Sequence, residues 1–338
     1  MIDGYQVSQA IAVAATLGIA ELLADAPRGV EEVARATGAH PRSLLRLLRA
    51  LAAVGVFVEA EGEREVFGLT PIASGLRSDA GHSQREAAMQ AGEPGMWAAW
   101  GQLLHSVMTG ESAFRYVHGM GAWEYRERNP VAGQLFDRAM LMSAREVAAA
   151  IVATYSFAGA ERVVDVGGGR GVLLAEILAV YPNVRGVLFD QGHVVEAAEL
   201  VLRAGGVLDR CAIEAGDFFD TVPEGADVYV LKGVIHDWDD EDARRILESC
   251  RRVIRPGNRL LVIEQVVPRE RAAEPLMCFM DLHMLTIHGA AERTSEEFAV
   301  LLDSDGFRLE RIVEVDGAMK LIEAAPVWDD PAELPGRA

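Results

Sequence analysis

Apolar residues recur at helical spacing near the start of the chain and give way to a pair of short strand-like runs. Glycine stands just past two of the predicted helices, at Gly38 and Gly55, as is common at helix ends. The order of helix, helix, helix and hairpin is that of a winged-helix module. The predicted helices are Val7–Ala24, Val30–Thr37 and Pro41–Val54, and the strands Val56–Glu59 and Glu65–Leu69.

After a helical, aromatic-rich stretch over residues 91–158, β-branched runs alternate with helices. Such alternation predicts parallel βαβ units, and thus an α/β fold with a doubly wound, mostly parallel sheet. Two late runs predict an antiparallel hairpin at its edge. The strands are expected at Arg162–Val166, Val184–Phe189, Val228–Leu231, Leu260–Glu264, Arg308–Val315 and Met319–Ala324, and the helices at Val172–Val180, His193–Ala204, Asp240–Val253 and Ser295–Ser304.

These patterns divide the chain into four parts. We expect an N-terminal winged-helix domain over residues 1–90, a helical region that contributes to a substrate pocket over 91–158, a Rossmann-like domain over 159–326 and a tail over 327–338. The first helix carries apolar residues on most faces, so another surface must cover it. We therefore expect the N-terminal domain to form a homodimer.

Charge and cysteine content exclude several classes of protein. With 32 basic and 51 acidic side chains, the formal charge of −19 repels nucleic acid, although Arg42, Arg46 and Arg49 lie on the candidate recognition helix. Three scattered cysteines indicate a reducing compartment rather than disulfides or structural zinc. The apolar run Val7–Ala20 is too short to cross a bilayer. We expect a cytoplasmic protein without a nucleic-acid or membrane partner.

The strongest chemical signal is a buried strand that runs into a glycine loop, from Asp165 through Gly167 and Gly169 to Gly171. The following helix offers free N–H groups to a ligand. The spacing differs from the G-x-G-x-x-G fingerprint of dinucleotide-binding proteins, although a nicotinamide dehydrogenase remains an alternative. An acid ahead of the loop suits a ligand with an ammonium group better than a pyrophosphate.

Two further acids follow strands. Asp190 stands about 20 residues after the glycine loop, where a carboxylate can accept both hydroxyls of a ribose. A helix N-cap is the structural alternative for this residue. Asp217 precedes Phe218 and Phe219, a combination that can bind the amine and the ring of adenine.

Taken together, these motifs resemble the plant caffeate and acetylserotonin type of O-methyltransferases and their bacterial relatives in natural-product tailoring. The resemblance covers nearly the whole chain and implies S-adenosylmethionine as cofactor, with S-adenosylhomocysteine as product and without a metal. It implies roles for Gly167 and Ser143 at the methionine part, with Ser143 reaching its carboxylate. It implies that Asp190 binds the ribose and that Lys232 lies at the edge of the site. The residues that it implies for the adenine are Asp217, Phe218 and Trp238.

The resemblance also implies a general base, His236, which follows a predicted buried strand. A histidine with a pKa near 6.5 is suited to help remove the proton of a phenol, whose own pKa is near 10. A histidine hydrogen-bonded near a helix start is the structural alternative. Glu264 and Glu292 are both candidates to hold the ring nitrogen that faces away from the substrate. The acids from Asp239 to Asp242 are expected to cap the next helix rather than to bind metal.

A methionine-rich helix between the two glutamates is expected to form a wall of the acceptor pocket, since flexible thioethers suit flat aromatic ligands. The proposed lining residues are Trp97, Trp100, Phe136, Met140, Asp237, Met277, Met280, His283, Met284 and His288. The sequence therefore predicts O-methylation of a hydroxylated, aromatic small molecule. The alternatives are hydroxylation, decarboxylation or N- or C-methylation with the same cofactor, and a winged-helix regulator that senses a ligand.

Overall fold

The computed structural model describes residues 2–268 and 275–328, except for the side chains of residues 142 and 143. The chain divides into two compact units. One comprises Met1–Gly101 and Trp123–Met142, and the other Gln102–Ala122 and Ser143–Ala338. Among the described residues, no helix is long and apolar enough to cross a membrane.

The first unit begins with helices packed on a small antiparallel sheet of order β1-β3-β2, which confirms the winged-helix arrangement. Leu48, Phe57 and Phe67 lie in its core and are essentially inaccessible to solvent. Its elements in this part are α1 (Gly4–Thr16), α2 (Ile19–Leu22), β1 (Arg28–Gly29), α3 (Val30–Thr37), α4 (Pro41–Ala53), β2 (Phe57–Glu59), β3 (Val66–Leu69), α5 (Pro71–Ser74), α6 (Arg85–Ala91) and α7 (Pro94–Trp100).

The predicted helix Val7–Ala24 is wrong as a single element. Gly18 takes a left-handed conformation with φ of 64° and separates α1 from α2. A glycine adopts this conformation without the steric cost that a Cβ atom brings. The apolar periodicity continues across the break, which is why it predicted one helix.

Four helices connect these elements with the second sheet. They are α8 (Leu103–Thr109), α9 (Ala113–His118), α10 (Ala122–Arg128) and the long α11 (Pro130–Thr154). The remaining elements of the second unit are β4 (Arg162–Val166), α12 (Val172–Val180), β5 (Arg185–Asp190), α13 (Gly192–Val195), α14 (Ala198–Ala204), β6 (Cys211–Ala215), β7 (Val228–Lys232), α15 (Asp240–Val253), β8 (Arg259–Gln265), α16 (Pro275–His288), α17 (Ser295–Ser304), β9 (Phe307–Asp316) and β10 (Met319–Pro326).

The described strands of the second unit form one sheet of order β6-β5-β4-β7-β8-β10-β9. β4 to β8 run parallel, whereas β10 pairs antiparallel with both β8 and β9. The expected mostly parallel sheet with an antiparallel edge is confirmed. Because parallel strands end at one edge, the loops after β4, β5, β7 and β8 lie beside each other.

Two details differ from the prediction. β6 was not predicted, because its exposed positions give the run Cys211–Ala215 a mixed pattern. The helix expected over His193–Ala204 is two helices, α13 and α14. The capping prediction is confirmed at the start of α15, where the Asp239 side chain accepts the N–H of Asp242 at 2.9 Å.

Candidate active site

The glycine loop between β4 and α12 is held against the end of the next strand. The N–H of Gly167 donates to the carbonyl of Phe189 at 2.8 Å, and the N–H of Gly169 donates to Oδ2 of Asp190 at 2.8 Å. Gly167 has φ of 68°, and a Cβ atom there would come within 2.8 Å of Val234 Cγ2. The loop therefore requires glycine at this position.

Asp165 lies under this loop as a buried carboxylate with 1% of its surface exposed. Within residues 2–268 and 275–328, neither of its carboxylate oxygens has a hydrogen-bond partner. Burial raises the pKa of Asp165 to about 7, Lys232 opposes the rise and Asp190 adds to it. A buried polar group without a partner is costly, so a cationic ligand group would complete this site.

Asp190 fastens the end of β5 to the glycine loop rather than capping a helix. Its Oδ1 accepts the N–H of Gln191 at 2.7 Å, and Oδ2 accepts that of Gly169. The N-cap of α13 is Gln191, whose side chain makes no capping hydrogen bond. A carboxylate at the end of this strand, beside the glycine loop, is the type of acceptor that ribose hydroxyls require.

Aromatic rings gather where the sequence predicted the adenine site. The Trp238 ring meets Phe218 edge-to-face at 6.1 Å and Phe219 at 4.7 Å between centroids. Asp217 is exposed, and its Oδ1 accepts the N–H of Phe219 at 2.9 Å. The structure thus brings Trp238 together with both Phe218 and Phe219, from loops after two different strands.

His236 lies in a 3-10 turn, Ile235–Asp237, directly after β7. Its Nδ1 forms a hydrogen bond of 2.9 Å with Oε1 of Glu292. On the other side of the ring, Nε2 lies 3.8 Å from Oδ1 of Asp237. Burial by itself lowers the pKa of His236, but Glu264, Asp237 and Glu292 outweigh it and raise the pKa to about 10. The surrounding carboxylates therefore favour the imidazolium.

The two candidate glutamates have different contacts, which the sequence left open. Glu292 forms the hydrogen bond with His236, whereas the nearest Glu264 oxygen is 3.8 Å from Nδ1. Oε1 of Glu264 instead accepts the N–H groups of Val234 and Ile235 at 2.9 and 2.8 Å. Both glutamates are buried. Glu292 holds the ring, and Glu264 holds the backbone of the turn.

Asp281 on α16 is a further contributor that sequence reasoning missed. Its Oδ1 accepts the N–H of Glu292 at 3.0 Å and so fixes the backbone of the residue that holds His236. The methionine-rich pattern of α16 suggested only a wall for a substrate. One signal was present in the sequence, since Asp281 is the only acid in this helix.

The predicted acceptor residues fall into two groups. In the second unit, Met277 and Met284 are buried, and Nε2 of His288 lies 3.6 Å from Oδ1 of Asp237. Met280 and His283 on the same helix are half-buried. The remaining four residues belong to the first unit and stay a prediction from the sequence: Trp97, Trp100, Phe136 and Met140. The side chain of Ser143 lies outside the described residues.

The chain is similar in architecture and sequence to known proteins. A family model of the O-methyltransferase domain matches residues 100–308, and a model of the O-methyltransferase dimerisation domain matches residues 1–79. The phenazine O-methyltransferase of Lysobacter antibioticus is 44% identical over 328 residues, which cover 97% of this chain and 95% of that protein. The structure of the mitomycin 7-O-methyltransferase matches with a TM-score of 0.92 and 41% identity over 96% of both chains.

One relative of known structure was solved with a methyl donor and an aromatic compound bound. An O-methyltransferase from neocarzinostatin biosynthesis was crystallised with S-adenosylmethionine and 2-hydroxy-5-methyl naphthoic acid. It is 34% identical, has a TM-score of 0.84 and covers 95% of this chain and 96% of its own. The chain belongs to the S-adenosylmethionine-dependent O-methyltransferase family.

Proposed function

We propose that the protein methylates a hydroxyl group of an aromatic small molecule, with His236 as the general base. The observation that carries this proposal is the 2.9 Å hydrogen bond between His236 Nδ1 and buried Glu292. The pair lies at the sheet edge that also carries the glycine loop, and Val234 links the two by its position against Gly167. A proton acceptor beside a cofactor loop is what methylation of a hydroxyl requires.

The cofactor site is formed by residues of β4, β5 and the loops that follow β6 and β7. Asp165 would pair with the ammonium group, because its buried carboxylate has no other partner among the described residues. Asp190 would accept the ribose hydroxyls, Asp217 the adenine amine, and Phe218 and Trp238 would contact the adenine ring. When bound, S-adenosylmethionine supplies an electrophilic methyl group on a cationic sulfonium.

His236 acts through its two ring nitrogens. In the neutral form of the ring, which the base must adopt, Nδ1–H donates to Glu292 and Nε2 carries the lone pair. Nε2 takes the hydroxyl proton of the acceptor as the oxygen forms its bond to the methyl group. The resulting imidazolium is stabilised by the three carboxylates that raise the pKa of this histidine.

The acceptor is inferred from the relatives and from the lining of α16. The named relatives act on a phenazine and on mitomycin, and the neocarzinostatin enzyme was solved with a naphthoic acid. Buried Met277 and Met284 offer an apolar wall. Asp237 offers a polar group beside Nε2 of His236, and His288 lies next to Asp237. This combination fits a flat hydroxylated ring with a second polar substituent.

We also infer that the protein is a homodimer formed through residues 1–79. The match to the dimerisation domain supports this assembly. On α1, Tyr5 and Val13 expose 57% and 43% of their surface, and Ile2 ahead of it exposes 92%. Apolar side chains that a single chain leaves exposed are suited to an interface between copies.

The proposed reaction is tested by incubation with a radiolabelled methyl donor and a panel of phenols, quinols and phenazines. A labelled ether product is expected, whereas hydroxylated, decarboxylated or N- or C-methylated products alone would contradict the proposal. His236→Ala should lower the rate constant of methylation by roughly 10²- to 10⁴-fold, with partial recovery at high pH where the acceptor ionises without a base. His40→Ala, a change at an exposed histidine of the first unit, is the matched control.

A further inference from the structure

A buried arginine, Arg293, forms hydrogen bonds with the backbone of the turn that contains His236. Its side chain is 6% exposed, and its Nη1 donates to the carbonyl of Ile235 at 3.1 Å. Nη2 donates to the carbonyl of Trp238 at 3.0 Å. Nε and Nη2 also donate to Oδ1 of Asp240, at 3.1 and 2.8 Å. One guanidinium thus contacts the backbone on both sides of His236.

The turn needs such support because its own hydrogen bonds are few and long. The N–H of Asp237 reaches the carbonyl of Val234 at 3.2 Å, and that of Trp238 reaches Ile235 at 3.3 Å. Glu264 supplies an anion to the N–H groups at the start of the turn, and Arg293 supplies a cation to carbonyls at its start and end. Charge-assisted hydrogen bonds are stronger than neutral ones, so the pair fixes the backbone.

Arg293 is itself fixed by the sheet. Its carbonyl accepts the N–H of Val267 at 3.0 Å, and it forms a parallel bridge with Val266 just beyond β8. Its neighbour in the chain is Glu292, which holds the ring of His236. The residue that orients the imidazole and the residue that holds its backbone are therefore placed by the same short segment.

We infer that Arg293 is a positioning residue for His236. It sets the place of the imidazole relative to Glu292 and the position of Trp238 at the adenine end, and it does not touch the reacting atoms itself. This inference rests on the proposed role of His236 as the base. Loss of the guanidinium would let the turn shift, and a displacement of about 1 Å can cost on the order of 10²-fold in rate.

The test uses Arg293→Lys in the full chain, with Arg251→Lys as matched control. Arg251 also ties backbone carbonyls, those of Gly306 at 3.2 Å and Val327 at 2.5 Å, but contacts neither the turn nor Glu292 in any hydrogen bond described for it. For Arg293→Lys we expect kcat to fall roughly 10- to 100-fold. Calorimetry should show a smaller loss in affinity for S-adenosylmethionine, at most about threefold, because Asp165 and Asp190 are unchanged and only the adenine contact of Trp238 depends on the turn.

The NMR signal of the Nδ1 proton of His236 separates positioning of the ring from a merely structural role. Loss of positioning changes this signal, whereas a general loss of stability leaves it in place. Proton NMR of histidine-labelled protein should show a downfield resonance for the hydrogen bond to Glu292, assigned by its loss in His236→Gln. We expect Arg293→Lys to weaken or remove this resonance and Arg251→Lys to retain it. A retained resonance with wild-type kcat in Arg293→Lys would overturn the inference.

Two further outcomes are distinguishable. If Arg293→Lys does not fold, the variant Asp240→Asn provides the test. It removes the carboxylate that pairs with Arg293, and because the Asp240 side chain is 67% exposed, we expect this variant to fold. A weakened resonance and lower kcat in that variant would support the inference, and wild-type values for both would contradict it. If His236→Ala keeps full activity while the resonance responds to Arg293→Lys, the proposed base fails but the positioning of the ring by Arg293 stands.

Discussion

At the scale of single residues, Asp165 illustrates a conflict between stability and binding. Its carboxylate is buried without a hydrogen-bond partner among residues 2–268 and 275–328, and the charge of Lys232 offsets only part of the cost of burial. Burial raises its pKa from 3.8 to about 7, so the folded chain favours the protonated form. The ionised carboxylate therefore destabilises the cofactor-free protein, and a cationic ligand can offset this free energy when it binds.

Asp165→Asn should stabilise the cofactor-free protein at neutral and alkaline pH. The carboxyl pKa is higher in the folded chain than in the unfolded chain, so wild-type stability falls as the pH rises from 3.8 through about 7. Asparagine cannot ionise, so the variant does not lose this part of its free energy of unfolding, which is on the order of 2 to 4 kcal/mol above pH 7. Thermal unfolding at pH 5 and pH 8 measures the difference, and an equal advantage at both values would contradict the reasoning.

The same variant should bind S-adenosylmethionine more weakly. Loss of a charge-assisted contact to the ammonium group corresponds to about 1.5 to 3 kcal/mol, or roughly 10- to 100-fold in Kd. Calorimetry of both proteins at one salt concentration provides the measurement. Wild-type affinity in Asp165→Asn would show that the carboxylate does not pair with the cofactor.

Glu292→Gln should move the pH dependence of kcat to lower pH. His236 accepts a proton only when neutral, and Glu292 is one of the carboxylates that raise its pKa to about 10. The amide removes a negative charge and so lowers the pKa, and the rate then rises at a lower pH than in wild type. Profiles between about pH 6 and 10 measure the shift, with Glu310→Gln on the edge strand β9 as control. A shift towards alkaline pH would be incompatible with this role.

At the scale of elements, local patterns predicted the helices and strands well because each requires only neighbours in the chain. α3, α12, α15 and α17 have the predicted bounds to the residue. The failures have local causes, the left-handed Gly18 that interrupts the first helix and the exposed edge strand β6. An edge strand lacks the continuous apolar run that marks a central strand of a parallel sheet.

The glycine loop allows a paired test of element geometry. Gly167 and Gly169 have φ of 68° and 61°, so alanine at either position carries a strain of about 1 to 2 kcal/mol. A Cβ atom at Gly167 also meets Val234 at 2.8 Å, whereas one at Gly169 has no atom within 4 Å. We expect Gly167→Ala to lower the Tm of the cofactor-free protein more than Gly169→Ala does. Equal Tm values would contradict the packing of Val234 on the loop.

At the scale of the whole molecule, the net charge and the exposed face of α1 bear on assembly. A formal charge of −19 favours solubility and disfavours nucleic acid, while Tyr5 and Val13 leave apolar surface uncovered in one chain. The match of residues 1–79 to a dimerisation domain points to a second copy as the cover.

Analytical ultracentrifugation at micromolar concentration should therefore show a dimer. Val13→Glu should shift the protein towards monomer, because it places a charge on α1 at a side chain that is 43% exposed. Val300→Glu, at an exposed valine of α17 outside residues 1–79, should leave the dimer intact. A wild-type protein that sediments as a monomer at this concentration would contradict the proposed assembly.

The sequence by itself determined the winged-helix start, the alternation of strands and helices and the glycine loop, and its resemblance to the O-methyltransferases implied His236 as a candidate base. These features depend on periodicity, on backbone freedom at glycine and on motifs within a few residues. The tertiary structure alone decided that Glu292 holds the imidazole while Glu264 holds the turn. It also decided that Asp165 has no described partner and that Arg293 reaches both sides of His236. These contacts join segments about 30 to 60 residues apart, and the order and register of β4, β7 and β8 determine which side chains meet.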